Sequence, residues 1–334
     1  MADELERRFA DILADDPERM NRTGPWPGLA ELLLTAAPPP PSPLTGSVPA
    51  TDREAVSAAS PAGAVAWPAV AIQRGLDWCT LADAWPQPRL YASVRGGHTD
   101  APHVHQDLTS MMVVAGRERL LENVNETEYS DSTFSPRRFE LYETSAGSKN
   151  MLFVNGLGYP REGRLVTTRV AGQGWEGVLL DGTAAQKVGA DVVFCGRAVL
   201  LLDRQALLVL DRVVLAQPGY AEVRWHSFAR VQSRVATAAV VGKAETLHMA
   251  FAANWPAGLS RSSGLPTQPG RMPDTVLRWM ARHRHTDILL ATLIAPRRPL
   301  RLAVAPDGGW IAARGPGFAV RLHTSGSGLN LGDA

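Results

Sequence analysis

The sequence predicts an all-β protein, a large antiparallel β-sandwich preceded by a short helical N-terminal segment. Three observations carry that prediction. From about Trp67 onward the chain breaks into short strand-like runs bounded by Gly, Pro and Asp. Only one internal stretch shows helical spacing. Strands that follow one another with so little helix between them pair antiparallel, because parallel crossovers need long helical connections.

Taken in order, residues 2–14 place Leu5, Phe9, Ile12 and Leu13 at helical spacing. Pro25-Trp26-Pro27 interrupts that pattern, and Gly28 to Ala36 offers one further helical stretch. The run Pro38-Pro39-Pro40-Pro41-Ser42-Pro43 favours extended polyproline backbone, and a Ser/Thr/Ala/Pro stretch continues to about Gly63. Residues 1–63 therefore read as a helical segment with a linker or arm, and residues 64–334 as the sandwich domain. Its expected strands are Leu90–Arg95, Ser110–Val114, Asn150–Asn155, Arg164–Val170, Gly177–Leu180, Ala198–Leu202, Ala206–Leu210, Ala221–Phe228, Ile288–Ile294, Leu300–Val304, Trp310–Arg314 and Gly317–Leu322. One internal helix is expected at Asp274–His283, around Leu277, Trp279 and Met280.

Composition narrows the function. The 334 residues carry 34 basic and 33 acidic side chains, so the chain is not a general nucleic-acid binder, and any grip on an acidic ligand must be local. Cys79 and Cys195 are too few for a disulfide framework and read as free, buried thiols. The charged start Met1-Ala2-Asp3-Glu4-Leu5-Glu6 shows no secretory h-region, and no apolar run is long enough to span a bilayer. The expectation is a cytoplasmic protein with no membrane partner. A phosphate-binding loop, a dinucleotide fingerprint and a Gly-x-Ser-x-Gly elbow are all missing from the sequence, which weighs against nucleotide-dependent and serine-hydrolase chemistry.

The densest chemistry lies between His98 and Asp107, where His98, His103, His105, Asp100 and Asp107 fall within ten positions. On an extended segment His103, His105 and Asp107 share one face. Such a face can bind a divalent metal, supply a general base with an orienting partner, or form a paired structural network. His226 interrupts the strand pattern Glu222-Val223-Arg224-Trp225-His226-Ser227-Phe228; a lone histidine there reads first as a satisfied core residue, second as a ligand. Arg137 and Arg138, followed by Lys149, could grip a carboxylate or sulfate, or form a solvated loop with local ion pairs. His248, His283, His285 and His323 have no persuasive partner in the sequence.

Several of these segments together resemble the C-terminal β-sandwich domain of the heparinase II/III-like polysaccharide lyases. Leu90-Tyr91-Ala92-Ser93-Val94-Arg95-Gly96-Gly97-His98 is similar to that family's "KGGHN" strand and turn, and His103-Val104-His105-Gln106-Asp107 to its "HNHND" motif. Tyr129 through Tyr142 resembles the "YTxxTFSxxRYEIW" block, and Ser148-Lys149-Asn150 stands where the family has "YHN". Asp211-Arg212 and Trp225-His226 resemble the later "DR" and "WH" strands, so the likeness runs from about residue 67 to 325.

The resemblance implies a carbon–oxygen lyase that cleaves uronic-acid-containing polysaccharide, such as a glycosaminoglycan, by β-elimination. It implies His103 as the catalytic group facing substrate, with Arg138 and Lys149 neutralising anionic sugar, and His98, Arg137 and Tyr142 on the substrate side. It also implies a structural divalent metal, zinc by its ligand set, held by His105, Asn123 and His226. Two departures stand out: Asn123 replaces the family's aspartate ligand, and Lys149 replaces the histidine of the "HN" motif. The family's helical toroid, which forms the other wall of the active site, is reduced here to what residues 1–36 can provide. A partner chain supplying the toroid, or a homodimer covering the apolar face, is the corresponding expectation. The alternatives are a non-catalytic carbohydrate-binding or scaffold protein on the same fold, or another metal-dependent enzyme built on the histidine cluster.

Overall fold

Hydrophobic alternation at a period of two, interrupted by turn residues, builds a molecule of antiparallel strands. The computed structural model describes residues 67–100, 103–125, 129–160, 162–186, 191–265, 267, 273–297, 301–307, 310–323 and 328–333. The helical segment and proline-rich arm expected over residues 1–63 lie outside the described residues. Apart from Tyr129, the described residues lie in one unit spanning 47–126 and 130–334.

A five-stranded meander comes first: β1 (Val70–Gln73), β2 (Trp78–Ala82), β3 (Leu90–Val94), β4 (Met111–Ala115) and β5 (Glu118–Leu121), paired in that order. The chain continues through β6 (Leu152–Val154), β7 (Val166–Gly172), β8 (Trp175–Asp181), β9 (Val192–Leu202), β10 (Ala206–Gly219) and β11 (Ala221–Ser227). Next come β12 (Arg230–Arg234), β13 (Thr237–Val241), β14 (Thr246–Ala253), β15 (Ala257–Ser263), β16 (Thr275–Ala281) and β17 (His285–Ala295). The last four are β18 (Ala303–Asp307), β19 (Trp310–Gly315), β20 (Phe318–His323) and β21 (Leu331–Asp333). An eight-stranded sheet runs β12-β13-β14-β17-β10-β9-β8-β7, a four-stranded sheet runs β15-β16-β11-β6, and a second four-stranded sheet runs β18 to β21.

The eight-stranded sheet separates two cores. Along β9, Val199 and Leu201 face the first core, shared with the meander and with β6, β11 and β16, while Ala198, Leu200 and Leu202 face the second. That second core is closed by Ile311, Ala313, Val320 and Leu322 of the C-terminal sheet. A strand buried on both faces reads as a continuous apolar run, and Ala198-Val199-Leu200-Leu201-Leu202 does so.

The all-β prediction holds, with one correction. Residues 274–283 are strand β16, not a helix. Leu277, Trp279 and Ala281 are buried while Arg278 and Met280 point outward, and β11 and β15 pair on either side. The period is two, and Arg278 and Met280 on the open face mimicked the polar side of a helix. The thiols of Cys79 and Cys195 are free and buried, and burial pushes each up to about 12.

Candidate functional site

The site loops leave the meander at the end of β3. Gly96 packs so tightly that an added Cβ would lie 2.0 Å from the Asp77 carbonyl oxygen, and Gly97 has a φ of +69°. Arg95 fixes the turn by donating to the carbonyls of Gly96 and His98, both at 2.8 Å. His98 Nδ1 accepts from the Asp100 amide at 3.1 Å, so its ring is part of the turn it terminates.

The segment after this turn is a loop rather than a strand, which corrects the expectation of a shared His103–His105–Asp107 face. His103 has a φ of +60°, an uncommon conformation for a side chain with a Cβ, and it is exposed. Its ring meets Phe134 edge-on at 5.0 Å. Beneath it the buried guanidinium of Arg138 donates to three carbonyls, those of His103 (3.2 Å), Val104 (3.1 Å) and Thr133 (2.7 Å). Arg138 thus holds the loop that presents His103, and its guanidinium faces inward rather than towards a ligand. Arg137 is exposed and paired with Glu140 at 2.9 Å.

Lys149 is fully buried. Its ammonium donates to His105 Nδ1 at 3.0 Å, to the Val124 carbonyl at 2.7 Å and to the Glu143 carbonyl, which uses all three of its hydrogens. Asn123 accepts from the Asn150 amide at 2.8 Å and donates to Ser110 Oγ at 3.0 Å. Asn150 in turn accepts from the His226 amide at 2.5 Å and donates to the Met111 carbonyl at 2.9 Å. These two asparagines tie β4, β6 and β11 together.

His226 is buried, with Nδ1 2.6 Å from Asp274 Oδ2, and the Tyr142 hydroxyl stands 3.5 Å from both His226 Nδ1 and Asp274 Oδ1. Burial holds the imidazole below its ordinary pKa, against the pull of Asp274. Its neutral tautomer therefore carries the proton on Nδ1, donated to Asp274. Burial and the Asp274 charge push the Tyr142 hydroxyl well up, so Tyr142 is a hydrogen-bonding group and no base at neutral pH.

The metal implied by the resemblance does not fit these residues. His226 Nε2 is buried without a hydrogen-bond partner, which is the one observation that suits a ligand. Against it, an ammonium rests on His105 Nδ1, both ends of the Asn123 amide are committed, and the trio brings no carboxylate. Among the described residues no group of three or more His, Cys, Asp or Glu is placed to hold a metal ion.

Three further residues meet beside this cluster that the sequence reading did not single out. Glu222, Arg224 and His226 share the face of β11 opposite to core residues Val223 and Trp225, and Arg278 of β16 lies opposite Arg224. Glu222 accepts from Arg278 Nε at 2.8 Å and Nη2 at 2.5 Å, and also from Arg224 Nε. Burial raises the Glu222 carboxyl, but the hydrogen bonds and charges of Arg278 and Arg224 outweigh it and hold the group below the usual range. The period-two spacing to His226 carried a signal for Arg224; the helical reading of β16 concealed Asp274 and Arg278.

No family model matches the chain, and no curated protein matches it either. Solved structures do. The heparan sulfate lyase HepC from Pedobacter heparinus superposes with a TM-score of 0.60 at 10% identity, over 75% of this chain and 42% of that one. A structure of heparinase III gives 0.57 at 11% identity, over 73% and 41%. The likeness is one of fold, and this chain spans about two fifths of the length of those lyases.

Proposed function

We propose that this chain is the sandwich portion of a polysaccharide lyase acting on a uronic-acid-containing polymer, with His103 as its proton-transfer group. The observation that supports this most is the way His103 is held: left-handed, exposed, and braced from below by two hydrogen bonds from a buried arginine to the carbonyls of His103 and Val104. Backbone strain that the surroundings over-determine is concentrated at working positions. In β-elimination a neutral imidazole takes the proton alpha to the uronate carboxyl. The electron pair forms the C4–C5 double bond, the C4–O bond breaks, and the imidazolium returns the proton to the leaving oxygen, which regenerates the neutral base. Charge develops on the carboxylate as the proton leaves, so cationic donors must stand nearby. Arg138 and Lys149 serve in this reading as positioning groups. In this reading the other wall of the site comes from a partner chain or from a second copy.

A second reading, carbohydrate binding without chemistry, is favoured by the inward commitment of Arg138 and Lys149, which leaves His103 alone among the expected catalytic groups at the surface. Ultraviolet absorbance of the conjugated product separates the two. With heparan sulfate, chondroitin sulfate, hyaluronan and alginate as substrates, a rising signal is expected that His103→Ala abolishes at unchanged thermal midpoint. Binding of one of these polymers with no absorbance change, in folded wild-type protein, would establish the second reading.

A further inference from the structure

We propose that the outward face of β11, β16 and β15 carries an anion subsite, centred on Arg224, for a carboxylate or sulfate group of a polysaccharide. The inference rests on the anionic-polysaccharide reading above and names where the polymer's charge is read.

Two guanidiniums share the Glu222 carboxylate, while the nearby Asp274 carboxylate is held by the His226 imidazole, and hydrogen bonding identifies which guanidinium is the less committed. Arg278 makes a two-pronged contact with Glu222, whereas Arg224 spends only Nε on it. The Arg224 guanidinium lies 3.8 Å from the Phe153 ring centroid, and its two terminal nitrogens take no further hydrogen-bond partner among the described residues. A guanidinium stacked on an aromatic ring with both terminal nitrogens open is pre-oriented for two-pronged binding of a carboxylate or sulfate.

Arg224 opens into a cavity of about 150 Å3 walled by Tyr142, Ser262, Ser263, Gly264 and Arg278. Gly264 is needed there, because an added Cβ would sit 1.9 Å from Asp274 Oδ1 and 2.8 Å from the Tyr142 hydroxyl. The space suits a charged substituent rather than a disaccharide. Across Glu222 and Arg278 lies a larger cavity of about 360 Å3, flanked by Tyr220 and Met280, which are 41% and 39% exposed.

Calorimetric titration with a heparan sulfate tetrasaccharide, its desulfated form and its carboxyl-reduced form tests this. Arg224→Gln and Ser262→Asp are each expected to weaken binding of the intact tetrasaccharide at least tenfold. Ser262 is exposed on β15, so Ser262→Asp is expected to keep the wild-type thermal midpoint. Loss of affinity on desulfation assigns the site to sulfate, and loss on carboxyl reduction assigns it to carboxylate. Unchanged affinity in Ser262→Asp, or equal binding of all three sugars, would overturn the subsite. Wild-type binding that depends on Arg224 without any lyase signal would leave the subsite standing and remove the lyase reading. Lyase activity with an unaltered KM in both variants would do the reverse.

Discussion

At the scale of single residues, the centre of the candidate site is organised by a cation that the chain itself carries. Lys149 satisfies His105 and two backbone carbonyls at once, so Lys149→Met removes three hydrogen bonds made by one buried charged donor. With hydrogen bonds to charged groups contributing about 1.5–3 kcal/mol each, the variant is expected to lose about 3 kcal/mol or more, measured by denaturant unfolding. The wild-type protein is expected to retain no stoichiometric zinc after dialysis and to melt at the same temperature with or without chelator. Stoichiometric zinc by elemental analysis would defeat that expectation. His226 gives a second prediction. Its folded pKa lies below the ordinary 6.5, so the unfolded chain binds the proton more readily, and stability falls as pH drops from about 6.5 through the folded value. A His226→Asn variant should flatten that limb of the pH–stability curve. Sequence motifs located His103, Lys149 and His226. They could not show that Lys149 points inward or that Asp274, 48 positions from His226, is its partner, because both facts depend on long-range pairing.

At the scale of elements, strands β9 and β10 announce themselves as continuous apolar runs, whereas β12, Arg230-Val231-Gln232-Ser233-Arg234, offers one apolar residue among four polar ones and was not anticipated. Strands β13, β14 and β15 were not anticipated either, although β13 and β14 are largely apolar. The interior pairing between β9 and β10 hides a feature with large energetic consequences. Arg197 and Asp211 face each other across these strands, both with fully buried side chains, joined at 2.7 and 3.1 Å. Arg197 also donates to the carbonyls of Thr109 and Asn150 at 2.9 and 2.8 Å, which anchors the site loops to the large sheet. Asp211 had been read through its likeness to a family motif; its role here is to hold this arginine. Arg197→Met leaves a buried carboxylate unpaired and is expected to cost about 3–5 kcal/mol. The double variant Arg197→Met with Asp211→Leu should recover part of that loss. A double variant no more stable than the single one would show that the loop anchoring, rather than the charge pair, carries the energy.

At the scale of the whole molecule, the second core joins the C-terminal sheet to the rest, and polar contacts of Arg212 and of Asp333, which accepts from Gln173 and Trp175, pin the joint. The face of the large sheet bearing Leu200, Leu208, Leu210, Leu289 and Leu293 is covered by Ile311, Val320 and Leu322, a contact whose area a soluble monomer cannot leave open at little cost. Arg212, almost wholly buried, pairs with Asp287 of β17 at 2.9 and 3.1 Å and reaches across to the carbonyls of His323 and Gly328. It therefore connects the large sheet to the end of β20 and to Gly328, just ahead of β21. Apolar burial holds the two layers together but is not directional, so it fixes no register between them; the carbonyl contacts of Arg212 at one end and the Asp333 carboxylate, at 2.7 and 3.0 Å from the Gln173 amide and the Trp175 indole, at the other do. Arg212→Ala is expected to speed amide hydrogen exchange in β19, β20 and β21 while β9 and β10 keep near wild-type protection. Such a pattern marks local opening of the C-terminal layer below the global unfolding free energy. Equal acceleration in β9, β10 and β20 would mean instead that the layers unfold as one unit and that apolar contact alone sets their cohesion.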